Sequence, residues 1–312
     1  MGTTGLLFLL LFSVKLPVDE IIQRSVQANE RDWKAGPTFE HQERDVEKKD
    51  GQVTDRTYQV VTMDGTPYKR LIAIDGHPLS AARERQEMQK EKQELARRRS
   101  ETPEERRARI DKWQKNRQQE NLLMTQMVTA LTFHLAGEED INGRPAYVLT
   151  AEPNPNYRPI NREAKVLTGM RGKLWIDKQD FHWAKVEAEV IHPVTFGGFL
   201  ARVDPGTRFL LEKEPVGDDI WQAKRFEMHV AASILFWGRN SAETDTYRDY
   251  QKGELSGLQT RPSALEVELE TQKLEQIAQC DDGQQPVAVD HQQAGEAGAA
   301  HLCQRRDGVG VR

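Results

Sequence analysis

Phe226-Glu-Met-His-Val-Ala-Ala-Ser-Ile-Leu-Phe236 is the stretch that decides the fold. Phe226, Met228, Val230, Ala232, Ile234 and Phe236 recur at every second position, while Glu227 and His229 fall between them. A period of two puts one set of side chains on one face of a pleated strand. The expectation is a long strand over Trp221–Trp237 with one greasy face.

Similar strands lie on both sides of it. Thr207–Glu214 precedes it and Glu243–Tyr250 follows. Farther back, Gly172–Asp177 and His182–Ile191 read as a hairpin across Lys178–Phe181. Phe133–Ile141 and Pro145–Ala151 are joined by Asn142-Gly143. Near the N-terminus, Thr54–Met63 and Pro67–Ile74 are punctuated by Asp50-Gly51, Asp64-Gly65 and Asp75-Gly76. Asp-Gly and Asn-Gly between such runs signal tight hairpins, because both central residues must take positive φ. Phe39–Lys48 is polar throughout and is expected as an edge strand. Within His182–Ile191, Ala184, Val186, Ala188 and Val190 are expected inside and Glu187 and Glu189 on a solvated face.

Helices frame this meander. Pro17 suits a first helical turn, and Val18, Ile22, Val26 and Asn29, widened by Ile21 and Trp33, give a helix from Val18 to Asp32. The run from Ser80 to Gln119 is almost entirely Glu, Gln, Lys, Arg and Ala. Thr102-Pro103-Glu104-Glu105 within it is a capping box with proline at the first helical position, so two helices are predicted, Ala81–Arg99 and Pro103–Leu131. Leu122, Leu123, Met127, Val128 and Leu131 form a docking stripe at the far end. Glu152–Ile160 is rich in proline and reads as a loop.

The chain has 312 residues, 37% hydrophobic and 30% charged, with a net charge of −5. No basic field points to nucleic acid. Cys280 and Cys303, the only two cysteines, lie beyond everything that reads as folded, so neither a structural disulfide nor a thiolate metal site is expected. Gly5–Val14 is too short for a bilayer span, which takes roughly 20 residues, and has the length of a signal-peptide core. It lacks a preceding Lys or Arg and a small-residue cleavage site; a buried helix or strand is the alternative. The expected organisation is a signal-like segment at 1–17, a folded domain at 18–250 with a helical insertion at 81–131, and a polar, largely disordered tail at 251–312.

The search for catalytic motifs is negative: HExxH, GxSxG and GxxxxGK[ST] are absent. Gly169-Met-Arg-Gly172-Lys173 has the wrong spacing for a phosphate loop, and a strand follows it. The eight histidines are scattered. No catalytic residue, metal ligand or cofactor is therefore assigned. Arg97, Arg98, Arg99, Arg106, Arg107 and Arg109 form the strongest basic feature. Interleaved Glu84, Glu87, Glu91, Glu94, Glu104 and Glu105 favour a salt-bridged solvated pair of helices over a headgroup site.

Gly172-Lys-Leu-Trp-Ile-Asp177 followed by Trp183-Ala-Lys-Val-Glu187 resembles the G-x-L-W-I-D … K-V-E hairpin of outer-membrane lipoprotein-sorting proteins of the LolA/LolB-like superfamily. Asp19-Glu-Ile-Ile22, Asn29-Glu-Arg-Asp-Trp33, Pro67-Tyr-Lys-Arg-Leu71, Lys165–Gly172 and Ile191-His-Pro193 resemble a branch that carries a charged helical insertion. The resemblance covers Val18–Tyr250. It implies an α+β fold: a strongly curved, unclosed antiparallel half-barrel with covering helices. It also implies a periplasmic, non-enzymatic carrier of lipoprotein acyl chains or other lipid. A monomer is expected, with a protein partner on helices 81–120 as the alternative role. The candidate lipid-binding face is Leu174, Ile176, Val186, Val190, Phe209, Leu211, Met228, Val230, Ile234 and Phe236. Alternation alone does not separate a filled core from a lined pocket.

Overall fold

The computed structural model describes residues 16–49, 51–196, 201–234 and 237–253. The signal-like run Gly5–Val14, Phe236 and the tail beyond residue 253 lie outside them.

Helix α1 (Val18–Ala35) leads through a short 3-10 turn (Gly36–Thr38) into strands β1 (Phe39–Lys49), β2 (Gln52–Met63), β3 (Thr66–Ile74) and the two-residue β4 (His77–Pro78). Helices α2 (Ala81–Arg99) and α3 (Pro103–Ala130) follow. Then come β5 (Leu131–Ile141), β6 (Arg144–Pro153), a 3-10 segment (Glu163–Gly169), β7 (Met170–Asp177), β8 (Trp183–Val190), β9 (Val194–Phe196), β10 (Ala201–Val203), β11 (Arg208–Gly217), β12 (Ile220–Ile234) and β13 (Trp237–Lys252). All pair antiparallel in one open sheet, in the order β4-β3-β2-β1-β13-β12-β11-β8-β7-β6-β5, with β10 and β9 branching from β12.

The turn chemistry performs as its residues require. Asp64 and Gly65 sit at φ 44° and 89°, and Asn142 and Gly143 at 56° and 83°, the paired positive values of a tight hairpin. Glycine is needed for a different reason at Gly172. A Cβ there would stand 2.5 Å from the Glu187 carbonyl oxygen on the neighbouring strand. The capping box of α3 is present in full: Glu105 N–H donates to Thr102 Oγ1 at 3.2 Å, and Thr102 N–H donates to Glu105 Oε2 at 2.9 Å.

The edge-strand expectation is overturned. Phe39–Lys48 is not an edge strand; β1 is paired on both sides, with β2 and with β13. Its polar residues face a partner more than 190 positions away in the chain, which a local reading of polarity cannot foresee. Trp237 also opens β13 rather than ending β12. Ala184 falls in a bulge between the Trp175–Lys185 and Ile176–Trp183 pairs, so Val186, Ala188 and Val190 keep the inward phase.

The main core lies on one face of β5, β6, β7 and β8. Ile21 and Ile22 from α1, Met127 and Ala130 from α3, and Leu167 from the 3-10 segment pack onto Leu149, Leu174, Ile176, Val186 and Val190. Ile21, Leu149 and Ile176 are fully buried, and each such side chain contributes about 1.5–3 kcal/mol. No helix among the described residues is long and apolar enough to cross a membrane.

Candidate lipid-binding face

Strand register places the candidate residues in continuous rows. Leu174 pairs with Val186, Val186 with Leu211, and Leu211 with Phe226. In the next row, Gly172, Ala188, Phe209 and Met228 align in the same way. Ile176, Val190 and Val230 continue the same face. Ile234 ends β12, its side chain outside the described set, and Phe236 lies outside the described residues altogether.

The face is not uniformly covered. Leu174, Ile176, Val186 and Val190 are at most 3% exposed beneath α1, α3 and the 3-10 segment. Phe209 and Leu211 are half-buried at the margin of that core, and Met228 and Val230 are half-buried beyond it. A small gap of about 20 Å³ remains between helix and sheet, lined by Met127, Leu131, Phe133, Leu167, Met170, Leu174, Val186 and Phe209, among others. Methionine is unbranched and repacks easily, so this seam is the deformable part of the core.

A larger hollow lies elsewhere. It measures about 710 Å³ and crosses β6, β7, β8, β11, β12 and β13. On β7, β8, β11 and β12 both neighbours of the inward residue line it: Arg171 and Lys173, Glu187 and Glu189, Arg208 and Leu210, Glu227 and His229. The inward row Gly172, Ala188, Phe209, Met228 and Glu243 lines it as well. Among the described residues of the candidate set, Phe209 and Met228 reach it.

A buried polar group fixes α1 over the core. Asp32, 3% exposed, accepts from His182 Nδ1 at 2.9 Å, from the Trp221 backbone N–H at 2.8 Å and from Lys213 Nζ. Lys213 also donates to Asn29 Oδ1 at 3.0 Å. Burial pulls the Lys213 ammonium below its usual range, while Asp32 pulls the other way. Trp183 Nε1 donates to Ser25 Oγ at 3.1 Å, and His182 stacks on Trp221 at 5.6 Å. The sequence reading missed this group. Its signal was present: Ser25, Ala28 and Asp32 continue the buried stripe of Ile21 at helical spacing, so two polar residues stood where apolar ones were due.

Within the arginine run Arg98 and Arg109 turn inward, while Arg97, Arg99 and Arg107 stay exposed. Arg98 is 8% exposed and donates to Glu94 at 2.6 Å, the Met63 carbonyl at 2.6 Å and the Thr66 carbonyl at 3.0 Å. Arg109 donates to Glu101 at 2.8 Å and to Thr66 Oγ1 at 2.8 Å. Arg97 pairs with Glu94 at 2.7 Å and Glu101 at 3.0 Å. Arg98 and Arg109 dock the insertion on the β2–β3 turn, while Arg97 bridges within the insertion. At the other end of α3, Asn154 N–H reaches the Ala130 carbonyl at 2.9 Å.

No family model matches the chain, and neither does any curated protein. Solved structures do. The LolA superfamily protein NE2245 from Nitrosomonas europaea is 13% identical, with 77% of this chain and 96% of that one covered at a TM-score of 0.31. An outer membrane lipoprotein-sorting protein domain from Vibrio parahaemolyticus is 11% identical, covering 80% and 99% at 0.34. The MucA/MucB complex of Pseudomonas aeruginosa is matched at 12% identity, 74% and 99% coverage, and 0.23. The strand order and the helix-covered face described above show an open antiparallel sheet, as the sequence led one to expect.

Proposed function

We propose that this chain is a non-enzymatic carrier of the cell envelope that takes an acyl chain of a lipid or lipoprotein between its curved sheet and the helices over it. One observation carries the reading: the apolar face extends past its helical cover. Phe209, Leu211, Phe226, Met228 and Val230 continue the core rows onto β11 and β12 but stay half-buried. An acyl chain lying along them gains about 0.8 kcal/mol per buried CH₂. The 20 Å³ seam is too small for such a chain, so entry requires the Met127 end of α3 to shift outward.

The test is native mass spectrometry of protein purified from envelopes and of protein incubated with phospholipid vesicles. Retained or acquired lipid, reduced several-fold by Phe209→Glu or Met228→Glu, is the expected result. Protein that neither retains nor takes up lipid ends the proposal.

A second reading, a binding module that contacts an envelope protein, is favoured by the exposed outer side of α2, where Glu84, Arg85, Lys92 and Arg99 face solvent. Charge reversal at Arg85, Lys92 and Arg99 that abolishes partner capture but spares lipid uptake would support it.

A further inference from the structure

On β13 and β1 the apolar rows give way to acids. Phe226 pairs with Asp245, which pairs with Asp45; Met228 pairs with Glu243, which pairs with Glu47. Two carboxylates thus stand directly opposite two others on one face of a single ladder. Like charges in that position destabilise an antiparallel pair. Glu43, on the same face, is answered by Lys69 at 2.5 Å, and Arg56 stands opposite Asp45 on β2. Among the described residues Asp245 makes no salt bridge, and the Lys69 ammonium acts on it only from a distance.

Asp245 is itself buried. It is 3% exposed; among the described residues its buried Oδ1 has no hydrogen-bond partner, and its Oδ2 accepts a 3.4 Å bond from the Tyr247 hydroxyl. A buried carboxylate oxygen left bare is costly and calls for an occupant.

We propose that Glu43, Asp45 and Asp245 form a divalent-cation site on the β1–β13 ladder. One oxygen from each lies within 4.8 Å of the other two. Ligands sharing a calcium ion sit about 2.4 Å from it, so no two stand more than about 4.8 Å apart. An all-oxygen donor set selects Ca²⁺, Mg²⁺ or Mn²⁺ over softer metals. The irregular spacing of three strand carboxylates suits Ca²⁺ best, with water completing the shell. The competing occupant is a proton. Burial first, then Glu243, Asp45 and Glu43, push the Asp245 carboxyl up to about 7.

The experiment is calorimetric titration of CaCl₂, MgCl₂ and MnCl₂ into the chelator-treated full chain at pH 8, where the proton competes least. Saturable binding near one ion per chain is expected, at least tenfold weaker in Asp245→Asn and in Asp45→Asn. It should be unchanged in Glu189→Gln, whose side chain points away and pairs with Arg171 at 2.7 Å. Wild-type protein that binds none of the three ions overturns the proposal, as does Asp245→Asn protein that binds like wild type. Asparagine variants that fold more stably while the wild type binds no ion would show that a proton alone holds the cluster.

Discussion

The two halves of the hollow face are built from the same strand geometry and differ in what covers them. On β5 to β8 the inward positions are apolar, chiefly Leu, Ile and Val, and helices close over them around a gap of about 20 Å³. On β13 and β1 they are Glu and Asp. Pleat and register fix only where a side chain points. Whether that point becomes core or a charged hollow depends on which helix residues can afford to sit there, and Ile21, Ile22 and Met127 can sit only on the apolar half.

The largest expected effect comes from the polar group that holds α1 to the apolar half. Asp32→Ala strands Lys213 and His182 in a buried site, and denaturant unfolding should show a loss of about 3–5 kcal/mol. A loss below about 1 kcal/mol would mean that α1 is held by its isoleucines alone. Next is Leu174→Ala, expected to cost about 2–5 kcal/mol by the same measurement because the filled core cannot collapse around the gap. On the acidic half the sign reverses. Asp245 is protonated more readily folded than unfolded, so its contribution to stability is complete below pH about 4 and is lost as pH rises through about 7. Melting temperature should fall across that window without added cation, and Asp245→Asn should flatten the fall. The smallest effect belongs to Arg97→Ala on the exposed side of α2, under about 1 kcal/mol. A larger value would make the insertion more than a docked, solvated hairpin.

Much of the sheet was legible because its determinants are local. Asp64-Gly65 and Asn142-Gly143 announce their turns, Thr102 through Glu105 announce a helix start, and the alternation from Phe226 to Val230 gives a face. The candidate residues were placed on one face for the same reason. That Leu174 and Val186 are covered while Phe209 and Met228 are half-open follows from where α1 and α3 land, which no strand records. The central place of β1 and the meeting of Asp45 with Asp245 were illegible, since two residues 200 positions apart become neighbours only through register. In sequence, each carboxylate looks like any solvated strand residue.

Helix α3, with 28 residues, is about 42 Å long at 1.5 Å per residue. Arg109 ties one end to the β2–β3 turn, and the other runs straight into β5, the opposite margin of the sheet. The helix is thus the string of a drawn bow, and its length fixes how far the strands between can straighten. Slackening the Arg109 end should be felt at β5 as faster amide exchange, so the spread of the sheet is governed from its far margin.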